Sequence, residues 1–248
     1  MKTSASAAVL CGGRGERLKP LTDYYQKTMI PVGPKKLPIL AYIMALLKYH
    51  GITEVALLTG YRADEVKRYF GDGTELGMEI KYSEDTKSAP GSLNAVANAL
   101  TNGAIPRCEE LLVYYGDILT DLDITHLRAY HRREKADATL VFGKGYSLSV
   151  GVAVVRGRKV VSFNEKPKLP LSVTTGMMVM GPKAMALVRK MAGPGKLDLM
   201  ADFVPQLLKR GGRVAPFYLD REWYDVGTVS SFEKLNEELA RHPLNDLV

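Results

Sequence analysis

The 248-residue sequence has only two cysteines and no long apolar run. Cys11 and Cys108 lie far apart, which favours neither a disulfide framework nor a zinc site. The longest apolar run, residues 39–47, is much shorter than the ~18 residues that a membrane-spanning helix needs. The N-terminus has too few apolar residues before Cys11 to form the core of a signal peptide. These absences predict a soluble protein of the reducing cytoplasm, with no membrane partner.

The chain also lacks a linker rich in proline, glycine or serine, and it has no internal repeat, in particular no hexapeptide repeat. Its composition, 46% hydrophobic and 25% charged, is typical of a globular protein that buries a substantial core. We therefore expect a single domain over residues 1–248, with a less regular second lobe.

The formal net charge of +7 favours anionic partners, among which are nucleic acids, nucleotides and sugar phosphates. Arg128, Arg132, Arg133 and Lys135 form a basic stripe on one predicted helix. No aromatic stacking platform and no nucleic-acid-binding motif accompanies this stripe. A solvated helix face is the better interpretation, and we expect no nucleic-acid partner.

Strands and helices alternate through the first half of the chain. The hydrophobic patterns predict strands at residues 7–10, 54–59, 78–82, 111–115 and 138–142, and helices at residues 39–49, 63–70, 92–100 and 124–135. Such alternation with short connections predicts a Rossmann-like α/β fold, in which helices cover both faces of a mainly parallel sheet. Ligands of such sheets bind beyond the carboxyl ends of the strands. Gly116 and Asp117, after the fourth strand, fall at that edge.

The second half is less regular. Its pattern predicts a hairpin of residues 149–155 and 159–163 around residues 156–158, strands at 173–180 and 213–219, and helices at 182–191, 200–210 and 229–241. A hairpin and further strands indicate that the sheet is mixed rather than purely parallel.

Residues 10–33, LCGGRGERLKPLTDYYQKTMIPVG, place Gly12, Gly13 and Gly15 close to Arg17 and Lys27. The spacing fits neither the G-x-G-x-x-G dinucleotide fingerprint nor a P-loop. Glycines allow backbone N–H groups to approach phosphate oxygens, and the arginine fork suits the charge of a phosphate chain. A phosphate-binding loop is therefore favoured over a generic strand-to-helix turn.

This segment resembles the signature of the sugar-phosphate nucleotidyltransferases, also called NDP-sugar pyrophosphorylases, which is approximately L-x-x-G-x-G-x-R-L-x-P-L-T followed by P-K-x-x-x-P-V. The matching residues are Gly13, Gly15, Arg17, Leu18, Pro20, Leu21, Thr22, Lys27, Pro31 and Val32. Gln26 stands where the family usually has proline, which we expect to alter the stiffness of the loop.

Five later segments resemble elements of the same family, in the family's order. They are PGSLNAVANAL (90–100), YYGDIL (114–119), FNEKP (163–167), TTGMMVM (174–180) and WYDVGT (223–228). Each has a local explanation when taken alone; Asp117, for instance, could cap a turn. Six elements in order outweigh those explanations. Ser92 and Leu93 replace the usual Thr and Ala, and Thr174 stands where Asn is common.

The resemblance implies an enzyme that converts an NTP and a sugar 1-phosphate into an NDP-sugar and pyrophosphate, with Mg²⁺ as cofactor. It implies that Arg17, Lys27 and Asp117 are catalytic, and that Asp117 and Asp225 hold the metal. Nucleotide binding is implied for Leu10, Gly12, Gly13, Gly15, Glu16, Arg17, Gly91 and Ser92. Sugar-phosphate binding is implied for Gly151, Glu165, Lys166, Thr175 and Gly176. Glucose or mannose 1-phosphate is the expected sugar, and the base depends on residues 83–91.

The resemblance further implies a nucleotide-binding half, about residues 1–145, and a sugar-phosphate-binding half, about residues 146–248, with no left-handed β-helix domain. A homo-oligomer is left open. One alternative is a non-catalytic regulatory paralogue that binds nucleotide sugars, against which the retained charged residues argue. Another is a nucleotide-sugar-dependent glycosyltransferase: Asp121 and Asp123 match its D-x-D metal motif, but they lie past the strand end, and no R-L-x-P-L-T element is expected there.

Overall fold

A seven-stranded sheet lies at the centre of the computed structural model, which describes residues 3–148 and 150–248. The strands are β1 (Thr3–Cys11), β2 (Pro31–Val32), β3 (Leu37–Pro38), β4 (Glu54–Thr59), β5 (Glu79–Glu84), β6 (Cys108–Tyr115), β7 (Ile118–Thr120), β8 (Ala138–Ser147), β9 (Val152–Arg156), β10 (Lys159–Asn164), β11 (Lys168–Met180), β12 (Val214–Tyr218) and β13 (Trp223–Asp225). The order in the sheet is β12-β8-β11-β6-β1-β4-β5. Because β11 runs antiparallel to β6 and β8 while the other pairs are parallel, the mixed, mainly parallel sheet is confirmed.

Helices cover both faces of this sheet, as the alternating pattern predicts. They are α1 (Leu21–Tyr24), α2 (Ile39–Tyr49), α3 (Ala63–Phe70), α4 (Ser92–Asn102), α5 (Ile124–Arg133), α6 (Pro182–Met191), α7 (Val204–Lys209) and α8 (Val229–Glu238). Alternate residues of a strand point to opposite faces. Accordingly, Leu112 and Tyr114 of β6 share a core with α2, whereas Leu111 and Val113 share the other core with α4 and α6. No helix in the described ranges is long and apolar enough to cross a membrane.

Several element boundaries differ from the predicted ones. β1 begins at Thr3 and β11 at Lys168, each earlier than expected. The expected helix over residues 200–210 is a π-helical turn, Leu199–Phe203, followed by α7. Pro205 has no backbone N–H, so the regular helical bond to the residue four positions earlier is lost there. The terminal helix ends at Glu238, and a 3₁₀ turn, Leu239–Arg241, follows it.

The expected hairpin is present as β9 and β10, which form a separate two-stranded sheet. Arg156 pairs with Lys159, and Gly157 has φ +58°, the left-handed conformation that a two-residue hairpin turn requires. The expected start at Ser149 lies outside the described residues. Every residue of β9 and β10 is exposed, so this hairpin lies apart from both cores.

Candidate active site

The glycine loop leaves β1 at the carboxyl edge of the sheet and folds back on itself. Gly15 has φ +66°, and a Cβ there would lie 2.8 Å from Thr22 Cγ2 and 3.1 Å from Lys27 Cβ. Its carbonyl accepts hydrogen bonds from the Leu18 N–H (2.8 Å) and the Thr22 hydroxyl (3.1 Å). Leu18 itself is fully buried. The loop therefore has a defined shape that is anchored in the core.

Gln26, at the position where the family usually has proline, is fully buried beneath this loop. Its φ of −62° is the value that a proline ring imposes. Its side-chain amide donates to the Cys11 carbonyl and accepts from the Thr28 N–H (2.6 Å) and hydroxyl (2.7 Å). Its backbone N–H, which proline lacks, donates to Glu65 Oε2 at 2.8 Å. Gln26 thus keeps a proline-like backbone and holds it with hydrogen bonds.

Asp117 and Asp225 are brought together by two short strands. β13 pairs with β7 so that Asp225 lies opposite Ile118. The Val226 N–H then donates to the Asp117 carbonyl at 2.8 Å. Because β6 ends just before Asp117, both residues lie at the edge where the glycine loop begins.

Two cations lie beside these carboxylates. The Lys27 ammonium forms an ion pair with the Asp117 carboxylate, and both side chains are mostly buried. Arg17 lies at Asp225: a Cβ on Gly227 would lie 3.0 Å from Arg17 Nη2 and 2.9 Å from Asp225 Oδ1. The absence of a side chain at Gly227 therefore allows these two groups to lie close together.

The two carboxylates at this edge are close enough for the charge of Asp117 to affect the ionisation of Asp225. Burial raises the pKa of Asp225, and the negative charge of Asp117 raises it further, against the opposing effect of Lys27 and Arg17. Two crowded carboxylates with hard oxygen ligands fit Mg²⁺, which proteins commonly bind through one or two carboxylates together with substrate phosphates. Since no group of three or more His, Cys, Asp or Glu in the described ranges is suited to hold a metal, the remaining ligands would come from substrate and water.

A pocket of about 310 Å³ opens between the glycine loop and the residues that follow β5. The expected site residues that line it are Leu10, Gly12, Gly13, Gly15, Lys27, Gly91, Ser92 and Asp117. The structure thus brings the residues expected for nucleotide and catalysis to one pocket, except Glu16 and Arg17. Glu16 forms an exposed ion pair with Lys19 at 3.1 Å.

The family departures at Ser92 and Leu93 serve the packing of α4. The Ser92 hydroxyl donates to Asp198 Oδ2 (2.7 Å) and accepts from the Leu199 N–H (2.9 Å). Leu93 is fully buried in the core beneath α4. A Cβ on Gly91 would collide with the Leu197 carbonyl, so the same segment also requires the glycine. A nucleotide contact of the Ser92 side chain stays a prediction.

The residues expected to bind the sugar phosphate flank the hairpin or lie in β11. A Cβ on Gly151 would lie 2.7 Å from Glu165 Oε2, and both residues are exposed, as is Lys166. The Thr175 hydroxyl is buried and donates to the Val141 carbonyl at 3.1 Å. Gly176, at φ +81°, packs against the ring of Tyr115, which lines the pocket. Within the described ranges, no hydrogen bond or ion pair joins Glu165 or Lys166 to the pocket.

The two carboxylates of the D-x-D motif, Asp121 and Asp123, form contacts outside the pocket. Asp123 caps α5 by accepting from the His126 N–H at 2.8 Å. Asp121 lies 3.7 Å from Arg221, outside the pocket. In the basic stripe of α5, Arg128 donates at 2.7 Å to the carboxylate of Glu110, which is buried. These contacts favour structural roles for both features.

The sequence did not predict a site role for several pocket residues, among them Gln26 as a structural anchor, Asp85 and Tyr115. Burial raises the pKa of Tyr115 to about 12, and its hydroxyl donates to Ser92 Oγ at 3.2 Å. Asp85 directly follows β5, and its position after a parallel strand is the signal that points to it.

The fold and this edge define the class: an α/β protein with its ligand site at the carboxyl ends of parallel strands. Within that class, the chain belongs to the nucleotidyl transferase family, whose model matches residues 6–242.

Two curated relatives and one solved structure illustrate the similarity. The chain is 30% identical over 246 residues to a UTP–glucose-1-phosphate uridylyltransferase of Synechocystis, covering 91% of the chain and 61% of the relative. It is 30% identical over 242 residues to a mannose-1-phosphate guanylyltransferase of Mycobacterium tuberculosis, covering 95% and 64%. A solved Bacillus anthracis structure, assigned as a glucose-1-phosphate thymidylyltransferase, matches with TM-score 0.74, 25% identity and 96% coverage of both chains. The chain thus spans less than two thirds of the first two relatives.

Proposed function

We propose that the protein transfers a nucleoside monophosphate from an NTP to a sugar 1-phosphate and releases pyrophosphate. The observation that carries this proposal is the Lys27–Asp117 ion pair, which lies beside Asp225 at the mouth of the glycine loop. A reaction between two polyanions needs cations, a metal-binding pair of carboxylates and accessible backbone N–H groups. The two relatives are named for reactions of glucose 1-phosphate and mannose 1-phosphate. These names support the same reaction, with one of these two sugars, for this protein.

In this reaction, an oxygen of the sugar phosphate attacks the α-phosphorus in line. A new P–O bond forms while the bond to the oxygen bridging the α- and β-phosphorus breaks, and pyrophosphate leaves with the electron pair. The attacking phosphate is already an anion at pH 7, because its second pKa is about 6. No general base is required, so the protein's contribution is positioning and charge stabilisation.

The phosphate-binding residues divide this work. Arg17 contacts the β- and γ-phosphates and stabilises the departing pyrophosphate, while Lys27 contacts the α-phosphate. The amides of the glycine loop donate to phosphate oxygens, since no side chain at Gly13 obstructs their approach. Asp117 and Asp225 would hold Mg²⁺, which would supply positive charge to the phosphates when bound.

The sugar phosphate is bound by the second half of the chain. Lys166 pairs with its phosphate, while Glu165 and the backbone around Gly151 and Gly176 face the sugar hydroxyls. Thr175 contributes its backbone, since its hydroxyl bonds the sheet. We infer that residues 1–145 supply the nucleotide site and residues 146–248 the sugar-phosphate site of one catalytic unit, because β11 and β12 lie in the same sheet as β1 and β6.

A pyrophosphate-release screen tests this function. ATP, GTP, CTP, UTP and dTTP are each paired with a panel of sugar 1-phosphates in the presence of Mg²⁺. We expect release with at least one pair, with one NDP-sugar formed per pyrophosphate and no release when the sugar phosphate is omitted. Binding of NDP-sugars without release from any pair would instead identify a regulatory paralogue. Transfer of sugar from an NDP-sugar to an acceptor would identify a glycosyltransferase.

A further inference from the structure

The pocket contains a carboxylate that the phosphate chemistry does not use. The Asp85 backbone N–H donates to the Thr59 carbonyl at 2.8 Å, which fixes this residue at the end of β4. A Cβ on Gly12 would collide with the Asp85 carboxylate, and a Cβ on Gly60 would lie 2.8 Å from its Oδ2. Two glycines on neighbouring strand ends therefore leave room for this one side chain.

The Asp85 carboxylate borders the pocket, and no described residue pairs with it. In the part of the chain that the structure describes, no side chain or backbone N–H donates to it, and no cation pairs with it. The adjacent Glu84, in contrast, forms an ion pair with Lys67. Burial raises the pKa of Asp85. Asp85 is an exposed residue that lines the pocket, so its carboxylate can accept hydrogen bonds from a ligand with N–H groups.

The strand order indicates which part of a nucleotide lies at Asp85. Asp117 follows β6 and Asp85 follows β5, and the sheet order β6-β1-β4-β5 separates them by three strand spacings. At 4.7–4.9 Å per spacing, the ends of β5 and β6 are roughly 14 Å apart across the sheet, and the Asp85 side chain extends from its strand end toward Gly12. A phosphate near Asp85 would be repelled by the negative charge of this carboxylate. A phosphate near Asp117 would instead meet the positive charge of Lys27. An uncharged part of the nucleotide is therefore favoured at Asp85.

We propose that Asp85 selects guanine, with its two carboxylate oxygens accepting hydrogen bonds from N1–H and the 2-amino group; this assignment rests on the proposed nucleotidyl transfer. Guanine presents two neighbouring donors on one edge. Adenine and cytosine present one amino group next to a ring nitrogen that is itself an acceptor. Uracil and thymine present one N–H between two carbonyl oxygens, which the carboxylate repels. A matched pair of charge-assisted bonds is thus available to guanine alone.

Equilibrium binding to the full chain tests the base directly, with no sugar phosphate present. Titration calorimetry compares GTP with ATP, CTP, UTP, dTTP and inosine triphosphate, which differs from GTP only by lacking the 2-amino group. We expect GTP to bind about 10- to 100-fold more tightly than the four other common NTPs. Inosine triphosphate is expected to bind about 10-fold more weakly than GTP, because it loses one of the two bonds. Tighter binding of another base, or no preference, would overturn the assignment.

Asp85→Asn keeps the size of the side chain but replaces one acceptor by a donor. It is expected to weaken GTP binding about 10- to 100-fold and to remove the difference between GTP and inosine triphosphate. Glu84→Gln is the matched control, since this neighbouring carboxylate pairs with Lys67, and it should leave the selectivity unchanged. An Asp85→Asn protein that is folded by circular dichroism and still prefers GTP would contradict the proposal.

The two proposals fail separately. Pyrophosphate release with an NTP other than GTP would overturn the guanine assignment and leave nucleotidyl transfer standing. Selective, Asp85-dependent binding of GTP without pyrophosphate release from any sugar 1-phosphate would do the reverse.

Discussion

The phosphate end of the candidate site and the hairpin of β9 and β10 are built in different ways. At the phosphate end, Lys27 and Asp117 are joined directly, and buried Gln26 connects the loop to β1 and α3. The hairpin lies apart from both cores, and Phe163 on it is 65% exposed. The family motif names residues at both ends. The phosphate end, however, lies at the edge of the central sheet, whereas the hairpin forms a sheet of its own.

Lys27→Ala is expected to give the largest effect, because it removes the cation nearest the proposed α-phosphate. The loss of one positioned charge in a catalytic site typically lowers kcat about 10²- to 10³-fold. Pyrophosphorolysis at saturating Mg²⁺ measures the change. Lys19→Ala is the control: it lies in the same loop, but it pairs with Glu16 on the exposed side and should retain wild-type turnover. Near-normal turnover in Lys27→Ala would contradict a catalytic role for the phosphate end, and with it the distinction between that end and the hairpin.

Lys166→Ala tests the proposed sugar-phosphate site beside the hairpin. We expect KM for the sugar 1-phosphate to rise about 10- to 100-fold, the worth of one hydrogen bond to a charged group. The Kd of the NTP should stay unchanged, because Lys166 does not line the nucleotide pocket. Lys159→Ala is the matched control, since Lys159 is exposed on the hairpin and Lys166 is exposed just after it; this variant should leave both constants as they are. A changed NTP affinity in Lys166→Ala would mean that the two ends are not separate.

Gln26→Pro tests what holds the phosphate end. The backbone angle already suits proline, which gains about 0.4–1 kcal/mol through the unfolded chain. Against this, the buried Cys11 carbonyl loses its donor and the buried Thr28 N–H loses its acceptor, at about 1–3 kcal/mol each, while half-buried Glu65 loses an N–H that water can replace. We expect the free energy of unfolding to fall by about 1–5 kcal/mol in urea titrations. Glu65→Gln, which keeps an acceptor for the Gln26 N–H, should cost less; equal stability of Gln26→Pro and the wild type would contradict this account.

The parts of the fold that depend on local pattern were predictable from the sequence. The alternation of predicted strands and helices predicts the mainly parallel sheet. The ends of the predicted strands indicate the edge of the sheet at which Asp117 lies. The meeting of Asp117 with Asp225 was implied only by the family resemblance, because β7 and β13 are three residues each and leave no periodic signal.

The rest depends on tertiary packing. A glutamine between a tyrosine and a lysine gives no sign that it is fully buried, so the role of Gln26 could not be derived. An apolar run such as residues 152–155 usually indicates a buried strand, yet all of β9 is exposed. Hydrophobic pattern predicts that a strand forms but does not say which surface covers it.

The smallest effect is expected from a valine-to-threonine substitution, which can be made both in the central sheet and in the hairpin. Val9 in β1 is fully buried, whereas Val154 in β9 is 50% exposed. Threonine has nearly the shape of valine, but it adds a hydroxyl that must be desolvated wherever no partner exists. Val9→Thr should therefore lower the free energy of unfolding by about 1–3 kcal/mol, and Val154→Thr by less than about 0.5 kcal/mol, since its hydroxyl stays hydrated.

Urea titrations of the two variants at several protein concentrations decide whether the hairpin is uncovered in solution. If Val154→Thr cost as much as Val9→Thr, the exposed face of β9 would have to be buried by something. Because association stabilises a protein by mass action, a midpoint that rises with protein concentration would identify a second copy as the cover. A midpoint independent of concentration would instead mean that the hairpin closes onto its own chain, which would bring Glu165 and Lys166 under the same constraints as the phosphate end.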